Sequence, residues 1–395
     1  MTAEVSNLRI TDIKTYIVPT VPASEVTYNW SGTKQFLLVK IETDKGVSGW
    51  GECYTLADRE RSTAMHIEEM KAYLEGSDPC MISRFRNWGY NLFGERRPGI
   101  DLFCAFSGIE IAMFDILGKS LGVPVCTLLG GPVIKKLPAY ANLGPDGVKT
   151  PREEVAMAKE LAGRYGYRAF KLYPFANDET EDEMIERIAY FREGLGPDYQ
   201  IMIDVWRNVD ARLALSVAKK IEKYDICWYE EPIGPDDLDV LLELKMKTSL
   251  PLVAGEAMYG KRWYNEVCKR NCVDFVNPDV AVVGGIAEMC DIAAIAEANY
   301  IKVGPHNCNS STVALNATVH AACTMPNLSS VETFPWHEEI GDKMAFNQIK
   351  VKDGYLELPE GPGLGIEMNE EFLTSLDYSP RPPKTWKLFN DQQHL

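Results

Sequence analysis

Seven ionisable residues sit at or near the ends of short apolar runs in the second half of the chain: Lys171 in AFKLY, Asp204 in IMIDV, Glu230 in CWYEE, Glu256 in LVAGE, Asp279 in FVNPD, His306 in IKVGPH and Glu332 in SSVET. Asp204, Glu230 and Glu256 are separated by 26 and again by 26 residues (230 − 204 and 256 − 230). Three carboxylates brought together repel one another unless a cation lies between them. Hard oxygen donors in that number suit Mg2+, or Mn2+, with positions left for water or substrate. Asp279 and His306 lie one repeat apart and read as a hydrogen-bonded pair, in which the carboxylate fixes the imidazole tautomer and raises the basicity of the other nitrogen. Lys171 fits contact with a substrate carboxylate or, with a lowered pKa, a base. Glu332 fits a hydrogen-bond donor to a developing oxyanion if its surroundings keep it protonated. Each residue also has a structural reading. A strand-end acid often caps the next helix, and a strand-end lysine often points to solvent. His66, His320, His337 and His394 lack a comparable partner and receive no role.

Those positions need a scaffold that gathers strand ends. From Tyr140 onward, eight short apolar runs, beginning with YANL at 140–143, alternate with amphipathic helical patterns over about 200 residues. Alternating β and α units predict a parallel sheet, and eight of them without a Gly-rich phosphate turn predict a closed (β/α) TIM-type barrel with its site at the C-terminal ends of the strands. Upstream, FLLVKI at 36–41, a turn at Asp44-Lys45-Gly46 and a second run over 47–52 predict an antiparallel hairpin. Phe106, Ile109, Met113, Leu117 and Leu121 then recur at helical spacing before the stop signal Gly122 and Pro124. The expected division is an α+β capping domain over 1–131, the barrel over 132–340, and a segment over 341–395 that packs back on the cap. Tyr28 and Trp30, in the polar loop VPASEVTYNWSG, are placed to close over the barrel mouth, although Trp30 fits packing between domains equally well.

Composition narrows the partners. The 395 residues exceed the size of one growing core, and 46% apolar content fills two units. With 41 basic against 57 acidic side chains, a net charge of −16 disfavours nucleic acid and anionic membrane. The basic clusters Arg96-Arg97 and Lys135-Lys136 are only pairs. No apolar run approaches the ~20 residues that span a bilayer, and the N-terminus lacks a basic segment followed by an apolar one, so a soluble cytoplasmic protein is expected. The ten cysteines form no CxxC pairs and read as free thiols.

The constellation resembles the enolase superfamily and, within it, the mandelate racemase subgroup. The matching segments are MIDVW with Asp204, WYEEP with Glu230, VAGE with Glu256, NPDVAVVGG with Asp279, GPHN with His306 and VET with Glu332; VSGWGE and AMFDILGKSLGVPVCTLLGG match the cap. The resemblance implies Mg2+ on the three carboxylates, proton exchange by Asp279 and His306, and assistance to an enediolate by Glu332. Asp279 stands where the lactonizing and dipeptide-epimerising subgroups look for lysine, and relatives of this pattern are mostly sugar-acid dehydratases. Even-numbered homo-oligomers are common among them. Two departures matter. Tyr173 replaces the second lysine of the racemases' Lys-x-Lys, which disfavours two-base racemisation, although a phenol activated by Lys171 could still act as an acid or base. Trp206 stands where some dehydratases place a histidine to protonate the leaving hydroxide, so another acid is needed, with His306 as the candidate and Trp206 a substrate contact. The expected activity is dehydration of a sugar acid to a 2-keto-3-deoxy acid. The rival expectations are an epimerase, racemase or cycloisomerase using the same enediolate, and an inactive metal-binding relative.

Overall fold

A computed structural model describes residues 7–21, 34–56, 58–144, 150–175, 180–376 and 378. Tyr28 and Trp30 lie outside the described residues. The chain opens with an antiparallel sheet of β1 (Ile10–Pro19), β2 (Gln35–Thr43) and β3 (Ser48–Cys53) in that order. The expected turn is present, with Gly46 at φ +76° closing it by donating to the Thr43 carbonyl. Helices α1 (Glu60–Leu74), α2 (Ile82–Trp88) and α3 (Ile100–Leu121) follow.

β3 lies directly on α3. A side chain at Gly49 or Gly51 would collide with the backbone of Ala112 or Gly108, so the alternating glycines of SGWGE set the close approach. Alternation in β2 does not give it a solvent face, because eight of its nine residues are buried. Its lysine, Lys40, is covered by the C-terminal segment and pairs with Glu370 at 2.7 Å. α3 is buried on most of its circumference, and its acids tie elements together. Asp115 accepts from Trp50 N at 2.9 Å and Leu364 N at 2.8 Å, while Glu110 accepts from Ile286 N and Ala287 N, the first turn of a barrel helix.

After α4 (Val125–Leu128), eight parallel strands alternate with helices: β4 (Lys136–Asn142), α5 (Pro151–Tyr165), β5 (Ala169–Leu172), α6 (Glu181–Leu195), β6 (Gln200–Asp204), α7 (Ala211–Ile221), β7 (Ile226–Glu230), α8 (Leu238–Lys247), β8 (Leu252–Ala254), α9 (Lys261–Lys269), β9 (Phe275–Val276), α10 (Ile286–Ala298), β10 (Lys302–Val303), α11 (Thr312–Ala322) and β11 (Val331–Thr333). The ladder runs β10-β9-β8-β7-β6-β5-β4-β11. It closes where Val303 N donates to Asn327 O at 3.0 Å, Ser329 N to Val303 O at 2.7 Å and Glu332 N to Pro305 O at 3.3 Å. The expected barrel is therefore present. β8, β9 and β10 are shorter than their apolar runs, because Gly255 (φ +153°), Pro278 and Pro305 interrupt regular pairing. Glu256, Asp279 and His306 consequently project from the chain just past the sheet. Inside the barrel, Tyr140, Ala169, Met202, Trp228 and Val253 pack into a layer of their own that floors the mouth.

Past α12 (Glu338–Met344), β12 (Tyr355–Glu357) pairs antiparallel with the start of β4, and α13 (Glu370–Thr374) ends the described helices. Among the described residues no helix is long and apolar enough to cross a membrane.

Candidate active site

The strand-end acids are not helix caps. The N-caps of α7, α8, α9 and α10 are Asp210, Asp237, Gly260 and Gly285, all downstream of the acids in question. The acids turn into the mouth instead. Asp204, Glu230 and Glu256 each offer an oxygen within 4.8 Å of the others, the only such metal-type group among the described residues. Asp204 and Glu230 share a rung of the β6–β7 ladder, so the ladder sets their spacing. Burial pushes Asp204 up to about 6 and Glu230 well above the carboxylate range, even with the Lys171 ammonium beside them. Asp204 Oδ2 is buried and faces the Lys171 ammonium at 3.3 Å without a hydrogen bond. Three carboxylate oxygens converge there with Lys171 against only two of the acids, and a divalent cation with hard oxygen preference fits the cluster.

Lys171 does not point to solvent. Its ammonium is fully buried and lies 2.9 Å from Glu230, 2.8 Å from Glu332 and 3.3 Å from Asp204. Burial acts to lower its pKa, but Glu230 and Glu332 hold it well above the ordinary lysine range, so the alternative of a lysine base does not fit these surroundings. The idea of a protonated Glu332 meets the same difficulty. Burial raises its pKa, yet Lys171, His306 and the Asn307 N–H at 2.8 Å together bring it down to about 2. It is an ionised acceptor here.

His306 Nδ1 lies 2.7 Å from Asp279 Oδ2, as expected for the pair. Ala281 N donates to the other Asp279 oxygen at 2.8 Å and fixes the carboxylate. His306 Nε2 faces the mouth, 3.2 Å from Glu256 and 3.8 Å from Glu332. Burial acts to lower the imidazole pKa, but Glu256, Glu332 and Asp279 hold it well above the usual histidine value.

Tyr173 accepts from the Asn142 amide at 2.8 Å, and Trp206 is partly exposed at the rim. Trp206 and Arg207 both occupy the left-handed region, at φ +45° and +60°, which turns the chain sharply after Asp204. Arg207 thereby reaches across two strands to pair with Glu231 and, at 3.3 Å, with Glu256.

Several contributors to the site carry no ionisable strand-end signal in the sequence. Asn142 sits level with Lys171 in the β4–β5 register, so comparing strand ends at one height would have found it. Asn277 donates to Glu230 at 2.8 Å and stands two residues before Asp279, on the same side of an extended chain. Trp228 donates its indole N–H to Glu230 at 3.1 Å, also two residues from its partner. Arg207 had no such signal, because its reach depends on two consecutive left-handed residues.

A closed barrel whose strand ends carry an acidic triad beside an Asp–His pair, beneath an α+β cap, places the chain among enolase-type barrels. Residues 12–130 match the model of the mandelate racemase / muconate lactonizing enzyme N-terminal domain, and residues 153–372 match the enolase C-terminal domain-like model. The chain belongs to this family, within the enolase superfamily. It is 32% identical over 378 residues to the D-galactonate dehydratase of Pectobacterium atrosepticum, covering 93% of this chain and 94% of that one. It is 31% identical to the Klebsiella pneumoniae D-galactonate dehydratase, over 91% of this chain and 96% of the relative. Among solved structures, the 3,6-anhydro-D-galactonate cycloisomerase from Zobellia galactanivorans superposes with a TM-score of 0.84 at 28% identity, covering 94% of this chain and 100% of that one. A mandelate racemase/muconate lactonizing enzyme from Sulfitobacter sp. gives 0.85 at 27% identity, with 95% and 97% covered.

Proposed function

We propose that this protein is a Mg2+-dependent acid-sugar dehydratase, with Mn2+ an alternative ion, that removes the proton alpha to a carboxylate and expels the 3-hydroxyl to give a 2-keto-3-deoxy acid. The observation that carries this reading is the 3.2 Å separation between His306 Nε2 and the triad residue Glu256. A substrate carboxylate held at the triad puts its alpha carbon beside a ring nitrogen oriented by Asp279. The two D-galactonate dehydratases above support the substrate class and make D-galactonate the first probe.

Asp204, Glu230 and Glu256 would hold the cation. When bound, it supplies positive charge that stabilises the charge developing on the substrate carboxylate and offsets the field of Glu256 on His306. Lys171 adds a buried positive charge to the same carboxylate. His306 takes the alpha proton at Nε2, and Asp279 steadies the imidazolium that results. Glu332 holds Lys171 and the Asn307 backbone in place through its two oxygens. Trp206 forms part of the substrate wall. A cytoplasmic homo-oligomer of even number accompanies this reading, and sedimentation checks the assembly.

The cycloisomerase superposition keeps an isomerisation in view. Incubation in D2O with Mg2+ separates the two. Loss of water with a 2-keto product supports dehydration, whereas deuterium gain without loss of water overturns it.

A further inference from the structure

Dehydration needs an acid for the departing hydroxyl, and Trp206 carries no acidic proton. On the β4–β5 side of the mouth the Asn142 amide has one orientation available. Gly144 N–H donates to its oxygen at 2.8 Å, so the amide nitrogen must face away. That nitrogen spends its two hydrogens on Glu332 Oε1 and on the Tyr173 hydroxyl, each at 2.8 Å. A phenol oxygen that accepts from an amide keeps its own hydrogen for another acceptor. The contact to Cys308 Sγ, at 4.0 Å, is long and ends on a weak acceptor. Tyr173 as a residue is half-buried, on the strand-end side of β5 beside Lys171. Burial keeps its pKa well above the ordinary phenol value, so it enters each cycle protonated. The Lys171 ammonium, 5.7 Å from the ring centroid, favours the phenolate once the proton has left.

We propose that Tyr173 is the general acid that protonates the departing 3-hydroxyl, and that Asn142 is the positioning residue that reserves its proton for that step. The assignment rests on the dehydratase reading and divides its proton transfers between two groups, leaving His306 with the alpha proton alone. The C–H electron pair enters the carboxylate as His306 takes the proton. Its return forms the C2–C3 double bond, breaks the C3–O bond, and the oxygen leaves as water with the Tyr173 proton. Ketonisation of the resulting enol releases one proton and takes one up at C3, so both residues return to their starting states without another reactant.

The test uses D-galactonate, or whichever acid sugar the wild type dehydrates, together with its 3-deoxy-3-fluoro analogue, since fluoride leaves without protonation. Tyr173→Phe is expected to lose dehydration by about 100-fold or more while still releasing fluoride within about threefold of wild type and still exchanging the alpha proton in D2O. Asn142→Leu is expected to lower kcat by about tenfold with little change in KM, again sparing fluoride release. Unchanged circular dichroism and Mn2+ binding show that both variants are folded. Dehydration by Tyr173→Phe at the wild-type rate, or equal loss of water and fluoride release, overturns the assignment alone. Failure of the wild type to dehydrate any acid sugar overturns the dehydratase reading and the assignment with it.

Discussion

Asp279 and His306 are joined twice. Their side chains meet at 2.7 Å, and their backbones form a parallel bridge just past the ends of β9 and β10. His306 N also donates to Pro278 O at 3.1 Å. The pair is therefore set by the barrel itself rather than by a mobile loop, and only Nε2 is left to face the mouth. Fixing the carboxylate through Ala281 N leaves the imidazole one favoured orientation.

Asp279→Asn should keep the fold and upset the tautomer, because an amide can donate to Nδ1 and leave the proton on Nε2. Exchange of the substrate's alpha proton in D2O, followed by NMR, is expected to slow by about 10²–10⁴-fold. Exchange at the wild-type rate would remove the pair from proton transfer.

Glu230 is fully buried and accepts from Lys171, Asn277 and Trp228, so its oxygens are the most constrained of the triad. Glu230→Gln is expected to weaken Mn2+ binding by about 100-fold or more, read by titration calorimetry. The loss of one carboxylate should also reduce stabilisation of the folded protein by added metal. Equal affinity in the variant would place the cation elsewhere.

Glu52, at the end of β3, joins the cap to the barrel by accepting from Ser311 N at 2.8 Å and Ala314 N at 3.0 Å, at the start of α11. Burial raises its pKa from 4.5 to about 7 despite those bonds. The folded protein therefore holds this proton more tightly than the unfolded chain. The stability it contributes is present below pH 4.5 and is lost as pH rises through 7. In urea unfolding, wild type is expected to lose about 1.4 kcal/mol per pH unit relative to Glu52→Gln across that window. A difference independent of pH would contradict the shift.

Gly51→Ala should destabilise the cap by about 1–3 kcal/mol, since its methyl group meets the Gly108 carbonyl across the β3–α3 contact. The midpoint of thermal unfolding is expected to fall by several degrees. An unchanged midpoint would mean that β3 and α3 separate without cost.

The eight βα units, the hairpin and the seven strand-end residues were legible because each depends on a local pattern repeated at one spacing. What the sequence concealed depends on non-local geometry. Strands β8 to β10 stop short of the runs LVAGE, FVNPD and IKVGPH, since regular pairing ends before Gly255, Pro278 and Pro305. The charge states of Lys171 and Glu332 follow from their 2.8 Å contact, which no spacing reveals. Asn142, a neutral residue in the run YANL, gained meaning only when the Gly144 N–H fixed its amide.

The most direct measurement is a screen of purified protein with Mg2+ against a panel of acid sugars, D-galactonate first, with detection of 2-keto acid, repeated with His306→Asn, with Glu230→Gln and after EDTA. Turnover of at least one acid sugar by wild type, lost in both variants and on chelation, is expected. A 2-keto acid formed at the wild-type rate by either variant, or in EDTA, would contradict metal-dependent proton abstraction by His306.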